Sequence, residues 1–339
     1  MEKTDKIYIA GHRGLVGSAV TRALQKQGYT NFVERTHAEL ELTDQRAVAD
    51  FFASEKPDYV VLAAARVGGI VSNSTYPAEF VYSNLGIQTN VIHQAWKSGV
   101  KRLLFLGSSC IYPRDCPQPI KDEYLLSGPL EQTNKAYATA KIAGIEMCAS
   151  YNEQYGTQFV CAMPTNLYGP GDSYDLHTSH VLPALMRKAI TARDENQPSM
   201  NVWGTGTPYR EFLYSDDLGE ACAMLLTLPW EKVASVFPKP TLPLINVGYG
   251  DDLTIRQLAE AIVDVAGFKG TIEWDRSKPD GTPRKLMDSS RMRALGWQPR
   301  TQMKDGLRIG RAERRKEVLT KPFSLINVRK PLAAIGESI

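Results

Sequence analysis

The first forty residues constrain the fold of this chain most strongly. A short apolar run, Lys6–Ala10, is followed at once by Gly11, Gly14 and Gly17 and then by apolar residues at helical spacing. Glycines between a strand and a helix let the backbone approach a pyrophosphate closely, and free N–H groups at the helix N-terminus bind it. This order predicts a dinucleotide-binding unit. A glycine-rich turn without a ligand is the alternative.

Strand and helix patterns alternate through the first half of the chain. Apolar strands are predicted at Tyr59–Leu62, Leu103–Leu106 and Phe159–Met163, with long helical patterns between them. Strands that alternate with helices at this spacing form a parallel sheet with helices on both faces. We therefore predict an α/β fold with a doubly wound parallel sheet of the Rossmann type. Ligands are expected outside the carboxyl ends of its strands.

After Pro170 the pattern changes to loops rich in Gly, Pro, Ser and Asp, with shorter elements. Ile245–Gly248 is expected to return to the sheet as a strand. We predict a coenzyme-binding domain over 1–169, with a returning segment near 212–250. A smaller, partly discontinuous α/β domain over 170–306 is expected to be mainly substrate-binding. The basic tail, 307–339, has no predicted fold, and disorder is an open alternative for it.

Composition and charge exclude several function classes. The five cysteines include no Cys-x-x-Cys pair, so we expect no disulfide framework and no metal site, and a cytoplasmic location fits best. No apolar run approaches the roughly 18 residues of a membrane helix. Residues 300–330 hold ten Lys or Arg and three Asp or Glu, which leaves a net charge of −4 on the remainder. The basic charge thus belongs to the tail, and neither nucleic acid nor membrane is an expected partner.

Proton-transfer chemistry is indicated by two stretches thirty residues apart. Tyr137 and Lys141 lie four residues apart on a predicted helix and therefore share a face. A buried ammonium beside a phenol favours the phenolate, so the pKa of Tyr137 is expected to fall toward neutrality. A serine hydroxyl from the predicted strand end, 107–110, can hydrogen-bond the same substrate oxygen. The alternative is a chance pair on a solvated helix.

The end of the second predicted strand bears on the choice of coenzyme. An acidic residue there accepts the ribose 2′-hydroxyl of NAD, whereas a basic residue binds the 2′-phosphate of NADP. Glu34 and Arg35 are adjacent at this point and favour opposite coenzymes. The residues alone leave the choice open.

Several colinear blocks resemble a known group of enzymes. Together they are similar to the extended short-chain dehydrogenase/reductase superfamily and, within it, to the GDP-L-fucose synthase family. The likeness covers roughly residues 6–306, and a set of blocks in one order is far more specific than any single motif. The blocks are Ala10–Gly17, Ala63–Ile70, Leu106–Pro113, Pro164–Pro170, Ser179–Pro183, Trp203–Pro208, Arg210–Leu213 and Lys278–Lys285.

The resemblance implies an NADP-dependent oxidoreductase with epimerase activity. Such an enzyme epimerises GDP-4-keto-6-deoxy-D-mannose at C3 and C5, both α to the C4 ketone, and then reduces C4 with NADPH to give GDP-L-fucose. By position, the resemblance implies Cys110 as base and His180 as acid of the epimerisations. It implies Ser108, Tyr137 and Lys141 as the triad that polarises and protonates the C4 oxygen. Cys and His suit these roles because their pKa values can be tuned near the working pH.

The residues taken alone also allow plainer roles for these side chains. Free cysteines are usually small buried apolar fillers, and His180 can simply start a helix. Within the superfamily, a dehydratase is disfavoured because 109–112 contains no carboxylate. A 4-epimerase has no need of Cys110 and His180. Another nucleotide-sugar epimerase/reductase of the superfamily, or a non-catalytic NADPH sensor, stays open.

The resemblance also assigns positions to the coenzyme, the substrate and a partner subunit. Arg210 suits a diphosphate because its planar fork binds such oxygens in pairs. At His37 the family tends to have another base, so contact with the 2′-phosphate rests on Arg35. A homodimer through helices near 77–97 and 137–154 is implied. The GDP-sugar positions are Lys188, Trp203, Arg210 and Asp280. The NADP(H) positions are Gly11, His12, Arg13, Gly14, Leu15, Val16, Gly17, Arg35, Thr36, Leu40, Leu106, Gly107, Ser108, Ser109, Lys141, Pro164, Thr165, Asn166, Leu167 and His180.

Overall fold

A computed structural model describes residues 1–174, 179–237, 242–278 and 280–320. Its strands, numbered in chain order, are β1 (Ile7–Ala10), β2 (Phe32–Val33), β3 (Tyr59–Leu62), β4 (Arg102–Leu106), β5 (Phe159–Pro164), β6 (Asn166–Tyr168), β7 (Ser199–Trp203), β8 (Tyr209–Arg210), β9 (Phe212–Tyr214), β10 (Leu244–Val247), β11 (Leu253–Thr254) and β12 (Thr271–Asp275).

The helices are numbered in the same way. They are α1 (Leu15–Lys26), α2 (Gln45–Glu55), α3 (Ile70–Thr75), α4 (Pro77–Lys97), α5 (Lys135–Tyr155), α6 (Val181–Asp194), α7 (Ser215–Thr227), α8 (Trp230–Ala234), α9 (Ile255–Ala266), α10 (Ser290–Ala294) and α11 (Met303–Thr320). Single 3₁₀ turns occur at Ser109–Ile111, Asp122–Tyr124 and Gln132–Asn134.

A six-stranded sheet in the order β10-β5-β4-β3-β1-β2 forms the centre of the described residues. Every neighbouring pair in it is parallel, which confirms the predicted sheet. The predicted return of 245–248 is also confirmed, because β10 pairs with β5. By contrast, β9 pairs with β6 in a separate two-stranded sheet, so only part of the segment near 212–250 joins the central sheet.

Both faces of the central sheet are covered by helices, as the strand sequences require. The strands β1, β3, β4 and β5 are buried along their whole length, so each presents apolar side chains on both faces. Phe52 of α2, Ile92 of α4 and Ile145 of α5 belong to the core on one face. Leu24 of α1 and Leu218 of α7 belong to the core on the other. This packing leaves the strand ends as the open edge of the sheet.

A third apolar core lies in the smaller part of the chain. It joins α6, α9, β7 and the start of α11, where Leu307 is buried. The basic tail, for which no fold was predicted, is helical up to Thr320, because α11 continues to that residue. The helix is held at Gly306, which lies against the Tyr168 ring, and at Arg311, which donates to the carbonyl of Val265. Residues 321–339 lie outside the described residues. Among the described helices, none has the length and apolar character needed to cross a bilayer.

Candidate active site

The carboxyl ends of β1, β4 and β5 open on one edge of the central sheet, and most of the predicted site residues lie in the loops that follow them. The glycine loop follows β1, the Ser108–Cys110 turn follows β4, and Thr165 and Asn166 follow β5. The strand order brings these loops together although they are far apart in sequence. The prediction that ligands bind at this edge rests on that convergence.

The loop after β1 forms a cradle with a helix N-terminus behind it. Gly14 precedes α1 with no side-chain cap, and the first turn of the helix carries no acidic residue. Gly11 has a φ of +87°, and a Cβ at Gly17 would lie 2.2 Å from the Gly11 carbonyl oxygen. The tight turn therefore leaves the first N–H groups of α1 open to an anion. This arrangement fits the pyrophosphate of a dinucleotide.

The turn after β4 is fixed by the residue that begins it. Ser108 precedes the 3₁₀ turn Ser109–Ile111, and its Oγ accepts from the Cys110 main-chain N–H at 3.4 Å. Cys110 is 6% exposed, and Ser109 is buried. Ser108 is less buried than Ser109 and Cys110, so its hydroxyl can reach a ligand.

Lys141 connects α5 with the end of β4. Its Nζ donates to the Leu106 carbonyl oxygen at 2.8 Å and lies 4.7 Å from the centroid of the Phe105 ring. The same Nζ is 5.8 Å from the centroid of the Tyr137 ring, which confirms that the two residues share one face of the helix. Burial lowers the pKa of Lys141 to about 8, and the neighbouring Cys110 opposes this shift.

The expectation that Lys141 lowers the pKa of Tyr137 is wrong for this structure. Burial raises the pKa of the Tyr137 phenol well above its ordinary value, and the charge of a Cys110 thiolate raises it further. The Lys141 ammonium is itself desolvated and is hydrogen-bonded to Leu106, so it does not offset the loss of solvent around the phenol. Tyr137 therefore keeps its proton at neutral pH and is equipped to act as an acid.

Cys110 belongs to the same electrostatic cluster. Burial raises the pKa of its thiol, while the positive charge of Lys285, the Ser108 hydroxyl and Lys141 act in the opposite direction. His180 immediately precedes α6 and is exposed, although desolvation lowers the pKa of its imidazole. In the part of the chain that is described, no hydrogen bond joins His180 to Ser108, Cys110, Tyr137 or Lys141. The structure thus brings four of the five predicted catalytic residues together, and the place of His180 opposite them stays a prediction.

Two of the predicted substrate residues lie side by side in the smaller part of the chain. Lys188 donates from Nζ to the Asn201 carbonyl oxygen at 3.0 Å and lies 5.5 Å from the centroid of the Trp203 ring. Lys278 lies at the same distance from that ring. Trp203 is 57% exposed, so its indole is flanked by ammonium groups and still open to a ligand. An aromatic face between cations suits a nucleotide base and its phosphates.

Arg210 and Asp280 have different surroundings. Desolvation lowers the pKa of Arg210, and Asp280 acts in the opposite direction, so the two charges are close. Asp280 accepts from the main-chain N–H of Thr205 at 3.0 Å and from its hydroxyl at 2.7 Å. Because these bonds occupy its carboxylate, Asp280 holds the loop that carries Trp203. Arg210 donates from Nη1 to the Tyr209 carbonyl oxygen at 2.7 Å, and its remaining N–H groups suit a diphosphate.

Comparison with known proteins places this geometry in a family. Residues 7–237 match the NAD dependent epimerase/dehydratase family. A GDP-L-fucose synthase of Escherichia coli is 53% identical over 302 residues, which cover 89% of this chain and 94% of that protein. A GDP-L-fucose synthase of Arabidopsis thaliana is 55% identical over 306 residues, or 90% and 92% of the two chains. The chain belongs to the epimerase/dehydratase family and, within it, to the GDP-L-fucose synthases.

Among solved structures, the family includes a GDP-D-glycero-L-gluco-heptose synthase of Campylobacter jejuni, determined in the presence of NADPH. It is 37% identical and superimposes with a TM-score of 0.86 over 93% of this chain and 99% of that one. The family membership confirms the resemblance read from the colinear blocks. It also accounts for the glycine cradle, since this family binds a nicotinamide coenzyme.

Two site residues of this family member were not predicted from the sequence. Lys285 closes a block that carries the resemblance, but only the fold shows that its charge acts on the Cys110 thiol. Glu211 is fully buried and accepts from the main-chain N–H groups of Gly250 at 2.7 Å and Met287 at 3.0 Å. Desolvation raises its pKa to about 7. The sequence signal for Glu211 was its position directly after Arg210 in the chain. A buried carboxylate next to a ligand-binding arginine commonly fixes that segment.

Proposed function

We propose that this chain converts GDP-4-keto-6-deoxy-D-mannose to GDP-L-fucose, by epimerisation at C3 and C5 and NADPH-dependent reduction at C4. One observation carries the proposal: Cys110 lies in the same buried cluster as Tyr137 and Lys141, at the carboxyl end of β4. A reductase needs the phenol and the ammonium, whereas the added thiol is needed only if a carbon-bound proton is removed. The relatives named GDP-L-fucose synthase support the choice of substrate.

The epimerisations use the thiol and the imidazole. The Cys110 thiolate removes the proton from the carbon next to the C4 ketone, and the electron pair moves onto the C4 oxygen as an enolate. The hydroxyl groups of Tyr137 and Ser108 donate hydrogen bonds to this developing oxyanion. His180, from the other side of the ring, gives a proton back to the same carbon. After this transfer Cys110 is a neutral thiol and His180 is a neutral imidazole. Proton exchange with solvent restores the thiolate and the imidazolium.

The reduction uses the proton that Tyr137 retains. NADPH, when bound, supplies the hydride that adds to C4. Tyr137 gives its phenolic proton to the C4 oxygen, and its raised pKa ensures that this proton is present at neutral pH. Lys141, fixed by the Leu106 carbonyl, places a positive charge beside the phenolate that results. The glycine cradle and Arg35 are the groups that would hold the pyrophosphate and the 2′-phosphate of the coenzyme.

The proposal includes a homodimer, formed through α4 and α5. His93, Trp96, Tyr151 and Tyr155 form one aromatic cluster across these helices, with Trp96 and Tyr155 stacked at 4.3 Å between centroids. Tyr155 is 46% exposed, and Tyr82 on α4 is 75% exposed. Exposed aromatic side chains on a helix pair are typical of subunit interfaces. Sedimentation velocity is expected to give a dimer, and a monomer at micromolar concentration would contradict this part. The free cysteines agree with a reducing cytoplasm.

Turnover of the proposed substrate is the test. The purified chain is incubated with GDP-4-keto-6-deoxy-D-mannose and NADPH, while the coenzyme is followed by its absorbance and the product by NMR. One NADPH is expected to be consumed per sugar, with GDP-L-fucose as the product. A GDP-6-deoxyhexose that keeps the D configuration would show reduction without epimerisation. Tight NADPH binding without turnover would favour a coenzyme sensor.

A further inference from the structure

Glu211, between β8 and β9, joins two distant segments of the chain through its side chain. The side chain is fully buried, and each carboxylate oxygen accepts one main-chain N–H: Oε1 from Gly250 at 2.7 Å and Oε2 from Met287 at 3.0 Å. A Cβ at Gly248 would overlap Oε1, so the turn after β10 approaches the carboxylate as closely as a glycine allows. Burial of a carboxylate is costly unless its oxygens are hydrogen-bonded. These bonds therefore fix Gly250 and Met287 relative to β8 and β9.

The segment 286–288 is held on both of its sides. On one side it forms three hydrogen bonds, of 2.7 to 2.8 Å, with Gln118 and Ile120. Alternate main-chain N–H groups of an extended segment point to opposite sides, so the N–H of Met287 points away from these partners. Its acceptor is the carboxylate of Glu211. Glu211 thus takes the place that a neighbouring strand would have in a sheet.

Lys285 directly precedes this segment and acts on the thiol of Cys110. The charges of the two residues influence each other, and Lys285 is the largest charge that opposes burial at the thiol. Hydrogen bonds also connect the turn of Cys110 to the segment. The Tyr112 hydroxyl donates to Asn246 Oδ1 at 2.6 Å, and Asn246 Nδ2 donates to the Ile120 carbonyl oxygen at 3.0 Å. The place of Lys285 relative to the thiol therefore depends on the hold on 286–288.

A second path leads from Glu211 to the residue before Lys285. Arg284 binds both carboxylate oxygens of Asp252, from Nε at 2.6 Å and from Nη2 at 3.0 Å. Asp252 lies two residues after Gly250, whose N–H donates to Glu211. The carboxylate of Glu211 thus holds the chain on both sides of Lys285.

We propose that Glu211 is a positioning residue for the epimerisations, and that its carboxylate holds Lys285 beside the Cys110 thiol. This deepens the proposed function, on which it rests for the proton transfer that the thiol performs. Because its side chain is fully buried, Glu211 touches neither the substrate nor the reacting atoms. Its main-chain oxygen accepts from Thr165 Oγ1 at 3.2 Å and from Asn166 Nδ2 at 2.9 Å. A side-chain substitution keeps these two bonds, so coenzyme binding is expected to persist.

Glu211→Gln is the central variant, because an amide has one acceptor oxygen and an NH₂ group that cannot accept from the second main-chain N–H. Asp217→Asn is its matched control. Asp217 is a buried carboxylate that accepts from the main-chain N–H of Thr301 at 2.9 Å and from its hydroxyl at 3.2 Å. The control therefore breaks an equivalent buried contact that does not hold 286–288. Lys285→Gln and the double variant Glu211→Gln, Lys285→Gln complete the set.

Deuterium uptake at C3 and C5 of the ketosugar is measured without coenzyme as kcat and KM, at temperatures where every variant is folded. Glu211→Gln is expected to lower kcat about tenfold for each unit by which the thiol pKa rises. This loss is expected not to exceed that of Lys285→Gln. Since both changes act on one contact, the double variant should match Lys285→Gln within about twofold.

Two further readouts separate positioning from a merely structural role. KM for the sugar and the NADPH dissociation constant, measured by calorimetry, are expected to stay within about threefold in Glu211→Gln, because the proposed effect is confined to the thiol. Asp217→Asn is expected to lower the melting temperature as Glu211→Gln does, and to keep kcat for exchange within about threefold.

Losses that multiply in the double variant would overturn the proposal, because Glu211 would then act independently of Lys285. An unchanged kcat in Glu211→Gln, or an equal loss in Asp217→Asn, would overturn it as well. If Glu211→Gln does not fold, Glu211→Asp enters the same comparison, since it keeps the charge on a side chain that is one methylene shorter. If the unmodified chain binds NADPH but exchanges no deuterium, it is the proposed function that fails.

Discussion

In the proposed mechanism, Cys110 and His180 react in protonation states opposite to those they favour near neutral pH. Epimerisation would require the thiolate of Cys110 and the imidazolium of His180. Burial raises the pKa of the thiol above its ordinary value near 8.5, and desolvation lowers the pKa of the imidazole below its ordinary value near 6.5. Between these two pKa values the thiolate fraction rises tenfold per pH unit, while the imidazolium fraction falls tenfold. The product of the two fractions is therefore constant.

This balance predicts a flat pH profile for epimerisation. With ordinary pKa values the reactive fraction is about 1% of the enzyme, and both shifts seen in the structure make it smaller. We expect kcat/KM for epimerisation to be constant between about pH 6.5 and 8.5, because the shifts widen the plateau on both sides. Below and above the plateau the rate is expected to fall.

Solvent deuterium uptake measures this step directly. The chain is incubated with the ketosugar in D₂O without coenzyme, at substrate concentrations below KM, and incorporation at C3 and C5 is followed by NMR across the pH range. Cys110→Ser serves as the control and should slow incorporation by about 10²–10⁴-fold, as expected for loss of a general base. A tenfold rise per pH unit across this range would show that only the thiol has to ionise. The role of His180 as the acid would then be refuted.

Two further changes separate the remaining roles. Tyr137→Phe removes the proton donor for the C4 oxygen, so single-turnover NADPH oxidation should slow by about 10²–10⁴-fold, and a rate near that of the unmodified chain would contradict the assignment. Lys285→Gln removes the largest charge that opposes burial at Cys110. The deuterium-exchange plateau should fall, about tenfold for each unit by which the thiol pKa rises, whereas the exposed control Lys269→Gln should leave it unchanged. Equal plateaus in the two variants would exclude a role for Lys285.

Local sequence signals were sufficient to predict strands and helix starts. The strand Tyr59–Leu62 has the predicted bounds because a short apolar run with two adjacent valines favours a buried strand. Two helix starts are also fixed by local signals. Asp44 accepts from the main-chain N–H groups of Arg46 and Ala47, and Thr254 forms a capping box with Gln257. Caps depend on residues within one turn, so the sequence contains them in full.

Properties that depend on distant packing could not be predicted in this way. The pKa of Tyr137 depends on how deeply α5 is buried, which the spacing of Tyr137 and Lys141 does not contain. The ion pair of Arg35 with Glu55 joins residues that α2 brings together. The helix after residue 303 is stabilised by contacts with Tyr168 and Val265 rather than by its own composition, so a basic sequence gave no signal for it.

The configuration and labelling of the product test the central claim most directly. The chain is given GDP-4-keto-6-deoxy-D-mannose and NADPH in D₂O, and the isolated product is examined by NMR. GDP-L-fucose with deuterium at both C3 and C5 is the predicted result, because Cys110 and His180 exchange each proton before Tyr137 completes the reduction. An unlabelled product reduced at C4, with the D configuration retained, would contradict the account, since one pocket would then hold a reductase alone.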